Sequence, residues 1–307
     1  MSEPVRFLLG PTGAGKSELA LAAATRLNAE ILSLDSMAVY RRMDIGTAKP
    51  DPAERRRVPH HLLDLVEPWD SFDAARYREA AIRAVAEVGR RGRRVLFVGG
   101  TPFYFKILTE GLFPGPAADP ELRRRLRREE EEGGEGTLHR RLAKIDPELA
   151  GRLHRRDLKR VIRALEVHRL TGTPLSRLQT QWGRQAPILA YRAAGLDPKP
   201  ERLRERIRRR TARMVAAGLE EETAAILAAG GFSKQAGSAL GYAQVLAMLA
   251  GELPREELEE RILTRTWNFV RKQRTWFRKF DRVRWFDPAA GGDPVDTVLA
   301  LLAREGE

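Results

Sequence analysis

"RFLLGPTGAGKSELALAAA", residues 6–24, decides the fold. An apolar run, Phe7 to Leu9, leads into Gly10, Pro11, Thr12, Gly13, Ala14, Gly15, Lys16 and Ser17, and an Ala/Leu-rich run with helical spacing follows. G-x-x-x-x-G-K-S between a strand and a helix is a phosphate-binding loop. Its glycines let successive backbone N–H groups turn toward one anion, and the helix N-terminus adds partial positive charge. Lys16 can neutralise phosphate oxygens, and the Ser17 hydroxyl can join a Mg²⁺ shell. The loop alone does not identify its phosphate, which can be the tail of ATP or a diphosphate on another compound.

Outward from the loop, "AEILSLD" (29–35) reads as a second buried strand ending at Asp35. Residues 72–92 have helical spacing and stop at Gly92, and "RVLFVGG" (94–100) reads as another buried strand. This alternation predicts an α/β fold, a P-loop NTPase-like parallel sheet flanked by helices. Ligands of such sheets lie beyond the carboxyl ends of the strands, where the loop, Asp35 and Thr101 fall. After "GLFPGPAADP" (111–120) the texture changes to helices without a convincing strand. We therefore expect an all-helical insertion over 117–187, in a core made of 1–116 plus 188–307. The strand-like segment 187–198 resumes that core. Arginine-rich helices are expected around 200–228 and 255–280, and a last short helix after 288–294.

Fifty-five Lys and Arg against 42 Asp and Glu leave a formal charge of +13, which favours a polyanionic partner. "RLRERIRRRTAR" (202–213) holds seven arginines and one glutamate, and 261–280 holds seven basic residues and no acid. Solvated helices usually mix charge signs, so phosphate-backbone binding accounts for this excess better than solvation does. The aromatics among the charges at 269, 276, 277 and 280, together with residue 273, share helical spacing and read as packing positions. No run is apolar enough to span a bilayer and no signal peptide is evident. Without cysteine there is no disulfide and no thiol nucleophile. A cytoplasmic protein is the expectation. His60 and His61 lack metal-type neighbours in the sequence and read as structural; His139, His154 and His168 are scattered.

A nucleotide hydrolase also needs a buried strand ending in a metal-binding Asp, but "VLFVGG" ends in Gly99-Gly100. Asp35 has two readings from spacing alone: a substrate-facing carboxylate of the kind small-molecule kinases carry early after the loop, or a helix cap beginning the next element. A kinase would leave the basic surfaces unexplained, and a nucleic-acid-stimulated ATPase would lack its metal Asp.

The runs "GPTGAGKS" (10–17), "SLDSMAVYRRMDIGTAKP" (33–50), "PHHLLDLVEP" (59–68), "GGTPFYFKIL" (99–108), "DLKRVIRALEV" (157–167), "GYAQV" (241–245) and "RKQRTWFR" (271–278) follow one another along nearly the whole chain. In these runs the chain resembles the tRNA dimethylallyltransferases of bacterial type. The resemblance implies transfer of a dimethylallyl group from dimethylallyl diphosphate to N6 of adenosine 37, beside the anticodon of tRNA. The loop would then hold an isoprenoid diphosphate, with Mg²⁺ as cofactor and Ser17 as its ligand. Arg210, and less strongly Arg206, would bind the diphosphate. Asp35 would be the general base, and Thr101 would position the reacting centre. The tRNA-contacting segments would be Asp35, Ser36, Met37 and Ala38; Thr101; Arg123; Lys159, Arg160, Val161, Ile162 and Arg163; and Ser238, Ala239, Leu240, Gly241, Tyr242 and Ala243. The helical insertion would clasp the anticodon stem-loop, and the enzyme would act as a monomer. The chain departs from the usual pattern at Ala38, where many relatives carry Gln, at Leu158 in place of Pro, and at Pro102 after Thr101.

Overall fold

The computed structural model describes residues 3–113, 115–179 and 189–303. The chain divides into two compact units, Met1–Thr109 with Leu189–Glu307, and Glu110–Ile188.

The first unit begins with β1 (Val5–Leu9), α1 (Lys16–Leu27), β2 (Ala29–Leu34), α2 (Pro52–Arg57), β3 (His60–His61), α3 (Ala74–Arg90), β4 (Arg94–Gly99) and α4 (Pro102–Thr109). The second unit follows as α5 (Pro120–Gly133), α6 (Thr137–Ile145), α7 (Pro147–Arg152), α8 (Leu158–Thr171) and α9 (Leu175–Leu178). The first unit resumes with β5 (Tyr191–Leu196), α10 (Pro200–Ala216), α11 (Leu219–Ala229), α12 (Tyr242–Leu249), α13 (Leu258–Phe277), β6 (Arg284–Phe286) and α14 (Pro294–Ala303).

The six strands are all parallel, in the order β3-β2-β4-β1-β5-β6. Both faces are covered, which is why the central strands read as continuous apolar runs. On one face Leu8, Ile31, Leu96, Ala194 and Leu196 join Ala20, Ala23 and Ala24 of α1, with Leu203 and Ile207 of α10. On the other, Phe7 stacks on Phe97 at 4.8 Å and meets Phe105 of α4 edge-on at 4.9 Å. Burying each such ring stabilises the fold by about 1.5–3 kcal/mol relative to leaving it exposed. Asn28 turns α1 directly into β2 by taking a left-handed conformation at φ 54°, which Asn tolerates better than most residues.

Two edge strands, β3 of two residues and β6 of three, are too short to leave a period in the sequence. The helix expected over 200–228 is two helices broken at Gly218, φ +96°. The run expected over 255–280 is a 3-10 turn, Arg255–Glu257, followed by α13. α12 has no counterpart among the helices expected from the sequence. Residues 180–188, which include the end of the expected insertion and the start of the 187–198 segment, lie outside the described residues, as does Pro114.

The second unit has its own core, Leu122, Leu126, Leu138, Leu142, Val161, Ile162 and Leu165. Phe113 packs against this core, so the unit begins before residue 117. Each of α5, α7 and α8 opens on an Asp whose side chain accepts from a backbone N–H of the first turn: Asp119, Asp146 and Asp157.

Candidate active site

The carboxyl ends of β1, β2 and β4 open onto a cavity of about 1310 Å³. Its wall brings together Thr12 to Ser17, Ser33, Asp35, Ala38, Thr47, Gly99, Gly100 and four arginines of α10: Arg206, Arg209, Arg210 and Arg213.

The phosphate loop forms as its residue types require. Gly15 caps α1 at φ +90°, and a Cβ there would lie 2.6 Å from Nη1 of Arg206. The left-handed backbone is what favours glycine here, and a side chain would also have to displace the Arg206 guanidinium. Arg206 Nη1 donates to the Ala14 carbonyl at 2.9 Å. Lys16 Nζ donates back to the carbonyls of Gly10 and Pro11, at 2.9 and 2.8 Å. Burial, and secondarily the charge of Arg210, push the Lys16 ammonium down to about 8, while Asp35 opposes the shift. Ser17 is exposed in the first turn of α1.

Asp35 follows directly on β2. Its Oδ1 accepts from the N–H groups of Met37 and Ala38, at 2.7 and 3.2 Å. The carboxylate thus closes a turn and also lines the cavity, so the two readings of Asp35 coexist in one geometry. Its charge is felt by Lys16, Arg210, Tyr77 and Tyr104. Arg210 Nη2 donates to the Thr47 carbonyl at 3.3 Å. Burial lowers the guanidinium's proton affinity and Asp35 raises it. Thr101 immediately precedes α4: its N–H donates to the Leu34 carbonyl across the strand ends, and its own carbonyl accepts from Tyr104 and Phe105.

Sequence reasoning missed several residues that shape this site. Gln273 of α13, 4% exposed, donates from Nε2 to the Gly100 carbonyl at 2.5 Å and accepts at Oε1 from the Thr12 N–H at 3.0 Å. It ties the phosphate loop to the end of β4 across 261 residues of chain. Its one sequence signal is a neutral amide amid the cations of "RKQRTWFR". Tyr77 and Tyr104 stack at 3.7 Å. Tyr77 also donates to the Ser33 carbonyl at 2.8 Å. Burial pushes both phenols up, and the charge of Asp35 adds to it.

The 40–50 segment is pinned by side chains. Lys49 Nζ, 1% exposed as a side chain, donates to the Tyr40 carbonyl, Asp44 and Asp64, at 2.6, 2.8 and 2.7 Å. Arg55 secures the other oxygen of Asp64 at 2.8 Å. The Glu222 carboxylate accepts from the N–H groups of Asp44, Ile45 and Gly46. Tyr242 accepts from Gly46 N at 3.1 Å and donates to Glu222 at 2.5 Å. A Cβ on Gly46 would lie 2.2 Å from the Tyr242 ring, so this approach demands glycine. His61 Nε2 lies 2.6 Å from Glu30, which Arg91 also pairs, and His60 bonds to the Val58 carbonyl. Both histidines thus tie β3 to its surroundings.

The residues expected to touch tRNA are sorted by burial. Ser36 and Met37 are partly exposed, and Ala38 is buried against the cavity. Lys159, Arg160 and Ser238 are exposed, and Leu240 and Ala243 partly so. Val161 and Ile162 belong to the helical core, while Tyr242 is fully buried and Ala239 and Gly241 nearly so. Those side chains are not available at a surface. Arg123 forks onto the buried Glu166 at 2.8 Å through both Nε and Nη2, and Arg163 adds a 2.6 Å bond. Burial would raise the Glu166 carboxyl, but these hydrogen bonds outweigh it and hold it below the usual range. Along α13, Leu258, Ile262, Thr266, Val270, Gln273 and Phe277 are buried, while Arg265, Arg271 and Lys272, and Arg278 and Lys279 just past its end, are exposed. Among the described residues no group of three or more His, Asp or Glu could hold a metal, and no helix is long and apolar enough to cross a membrane.

Comparison with known proteins agrees with this geometry. The family model for IPP transferase matches residues 38–280. The chain is 46% identical over 296 residues to a tRNA dimethylallyltransferase of Geobacter metallireducens, covering 95% of each chain. It is 45% identical to that of Halorhodospira halophila, covering 93% of each. A tRNA isopentenylpyrophosphate transferase from Bacillus halodurans superposes with a TM-score of 0.68 at 36% identity, covering 93% of this chain and 90% of that one. A eukaryotic dimethylallyltransferase crystallised acting on tRNA superposes with a TM-score of 0.80 at 26% identity, covering 94% and 75%. A phosphate loop facing a carboxylate under an arginine-lined helix, and matches over nearly the full length, lead to one assignment: the chain belongs to the IPP transferase family, that of the tRNA dimethylallyltransferases.

Proposed function

We propose that the protein transfers the dimethylallyl group of dimethylallyl diphosphate to N6 of adenosine 37 in tRNA, beside the anticodon. The observation that carries this reading is a single cavity wall that joins Thr12 to Ser17 of the loop with Arg206, Arg210 and Asp35. The N6 nitrogen attacks C1 of the allyl group, the C1–O bond breaks, and diphosphate leaves with the electron pair. Negative charge builds on the leaving oxygen, where preorganised donors act most strongly. The N–H groups of Gly13 and of Gly15 to Ser17, with the side chains of Lys16, Arg206 and Arg210, supply those donors, while the Thr12 N–H is held by Gln273. Lys16 and Arg206 donate to the Gly10 and Ala14 carbonyls, which places both cations at the loop within reach of phosphate oxygens. The proton lost from N6 passes to Asp35, whose Oδ1 is held by two backbone N–H groups, leaving Oδ2 to receive it.

Mg²⁺ fits this donor set only as a substrate-borne ion. Ser17 would offer one hydroxyl, and diphosphate oxygens and water would supply the remaining ligands, the usual donor set for Mg²⁺. When bound, the ion neutralises charge on the diphosphate. For tRNA, the exposed Lys159, Arg160 and basic side of α13 offer phosphate contacts, and a flipped adenine is the expected way into a buried site. We read the enzyme as a cytoplasmic monomer.

The test combines Mg²⁺, labelled dimethylallyl diphosphate and unmodified tRNA with wild type or Asp35→Ala, followed by nucleoside analysis. We expect N6-dimethylallyladenosine from wild type and a loss of roughly 10²–10⁴-fold in the variant. Equal product from both would reduce Asp35 to a turn cap. ATP hydrolysis in place of prenyl transfer would overturn the reading.

A further inference from the structure

Seven arginines lie between 202 and 213, and the structure gives them different work. Arg204 stacks over Trp267 at 4.6 Å, and Arg208 and Arg209 pair with Glu205. Arg206 and Arg210 dock on the Ala14 and Thr47 carbonyls. Arg213 is exposed, and its side chain makes no hydrogen bond or ion pair among the described residues. Residues 206, 210 and 213 share one helix face, each about a turn beyond the last. Three cations in line repel one another; Asp35 offsets this at Arg210, and Arg213 adds to it.

A second cavity shows where such an anion would travel. A groove of about 1060 Å³ adjoins the first, lined by Arg41, Arg42, Arg55, Arg56, Arg210 and Arg213. Its carboxylates are engaged, since Asp44 and Asp64 hold Lys49, Asp64 also holds Arg55 and Asp51 caps α2. Arg41 and Arg42 share Glu67, which leaves Arg56 and Arg213 as cations whose side chains have no hydrogen-bond or ion-pair partner among the described residues. Ala48, Lys49, Pro50, Arg210 and Arg213 line both cavities. The groove is therefore a positively charged approach to the phosphate loop, with Arg213 at the join.

We propose that Arg213 is a positioning residue for the prenyl donor: it receives the isoprenoid diphosphate in this groove and hands it to Arg210 and Arg206 at the loop. This rests on the prenyl-transfer reading above. Arg213 forms or breaks no covalent bond in this step; it acts through charge, so its effect is sensitive to salt.

The experiment titrates inorganic pyrophosphate into wild type, Arg213→Gln, Arg213→Lys and, as control, Arg208→Gln, at low and high salt. Prenyl transfer is then followed with each substrate varied in turn. Arg213→Gln should weaken pyrophosphate binding and raise KM for dimethylallyl diphosphate roughly three- to five-fold, the scale of one solvent-screened ion pair. Its salt dependence should flatten, kcat and the KM for tRNA should hold, Arg213→Lys should recover most of the loss, and Arg208→Gln should match wild type in pyrophosphate affinity and donor KM. Unchanged pyrophosphate affinity in Arg213→Gln, with wild type active, overturns the proposal alone. A raised KM for tRNA with an unchanged donor KM also overturns it, placing Arg213 on the RNA. A wild type that neither binds pyrophosphate nor transfers the prenyl group overturns the prenyl-transfer reading with it.

Discussion

The phosphate loop and the 40–50 segment wall the same cavity and are held in opposite ways. The loop takes its shape mainly from its own residues, with glycines at special angles, a helix start and Lys16 returning to Gly10 and Pro11, and Gln273 and Arg206 each brace one backbone group from afar. The 40–50 segment has little regular structure, and Asp64, Glu222 and Tyr242, remote in sequence, pin it through Lys49 and the backbone of 44–46. The loop should therefore tolerate loss of its charge without unfolding. The segment should not tolerate loss of its clamp.

The largest expected effect tests the first half. Lys16→Ala should lower kcat/KM for dimethylallyl diphosphate by about 10²-fold or more, as removal of one preorganised donor does, while the thermal midpoint stays near wild type. A large fall in that midpoint would break the comparison. The second half is tested by Lys49→Met. It leaves Asp44 and the partly buried Asp64 without their shared cation, though Arg55 still holds Asp64. The expected loss is about 2–3 kcal/mol in denaturant unfolding, below the range for a fully buried pair. An unchanged midpoint would show that the segment is as self-sufficient as the loop.

The smallest effect sharpens the loop's electrostatics. Free Lys16 is held down to about 8, and a diphosphate favours its charged form. The lysine's contribution to diphosphate binding is therefore complete below pH 8 and fades as pH rises through it. The affinity difference between wild type and Lys16→Ala, measured from pH 6.5 to 9.5, should shrink over that window. A constant difference would mean that the ammonium stays charged throughout.

What could be read from the sequence follows the same division. β1, α1, β2 and β4 were legible because each is a local run of apolar residues with a clear period and a glycine, Asn or Asp at its end. β3 and β6 were not, because two or three residues cannot show a period; neighbouring strands define them. Arg206 and Arg210 were within reach only through the family resemblance, since "RIRRR" offers no intrinsic reason to prefer one arginine. Gln273 fell among packing positions, and burial among partners distant in the chain is what reveals its amide as a brace. For Val161, Ile162 and Tyr242 a matching motif carried no information about which way each side chain faces.

By itself the sequence determined the phosphate loop, the parallel α/β core around it and a helical unit between its halves, because glycine conformations, helix spacing and strand runs are properties of neighbouring residues. Only the tertiary structure decided that Asp35 and Arg210 share a cavity, that Gln273 joins the loop to β4, and that Arg213 lies at the join of two cavities. Those relations depend on where residues distant in the chain are brought together by packing, and no local pattern encodes that placement.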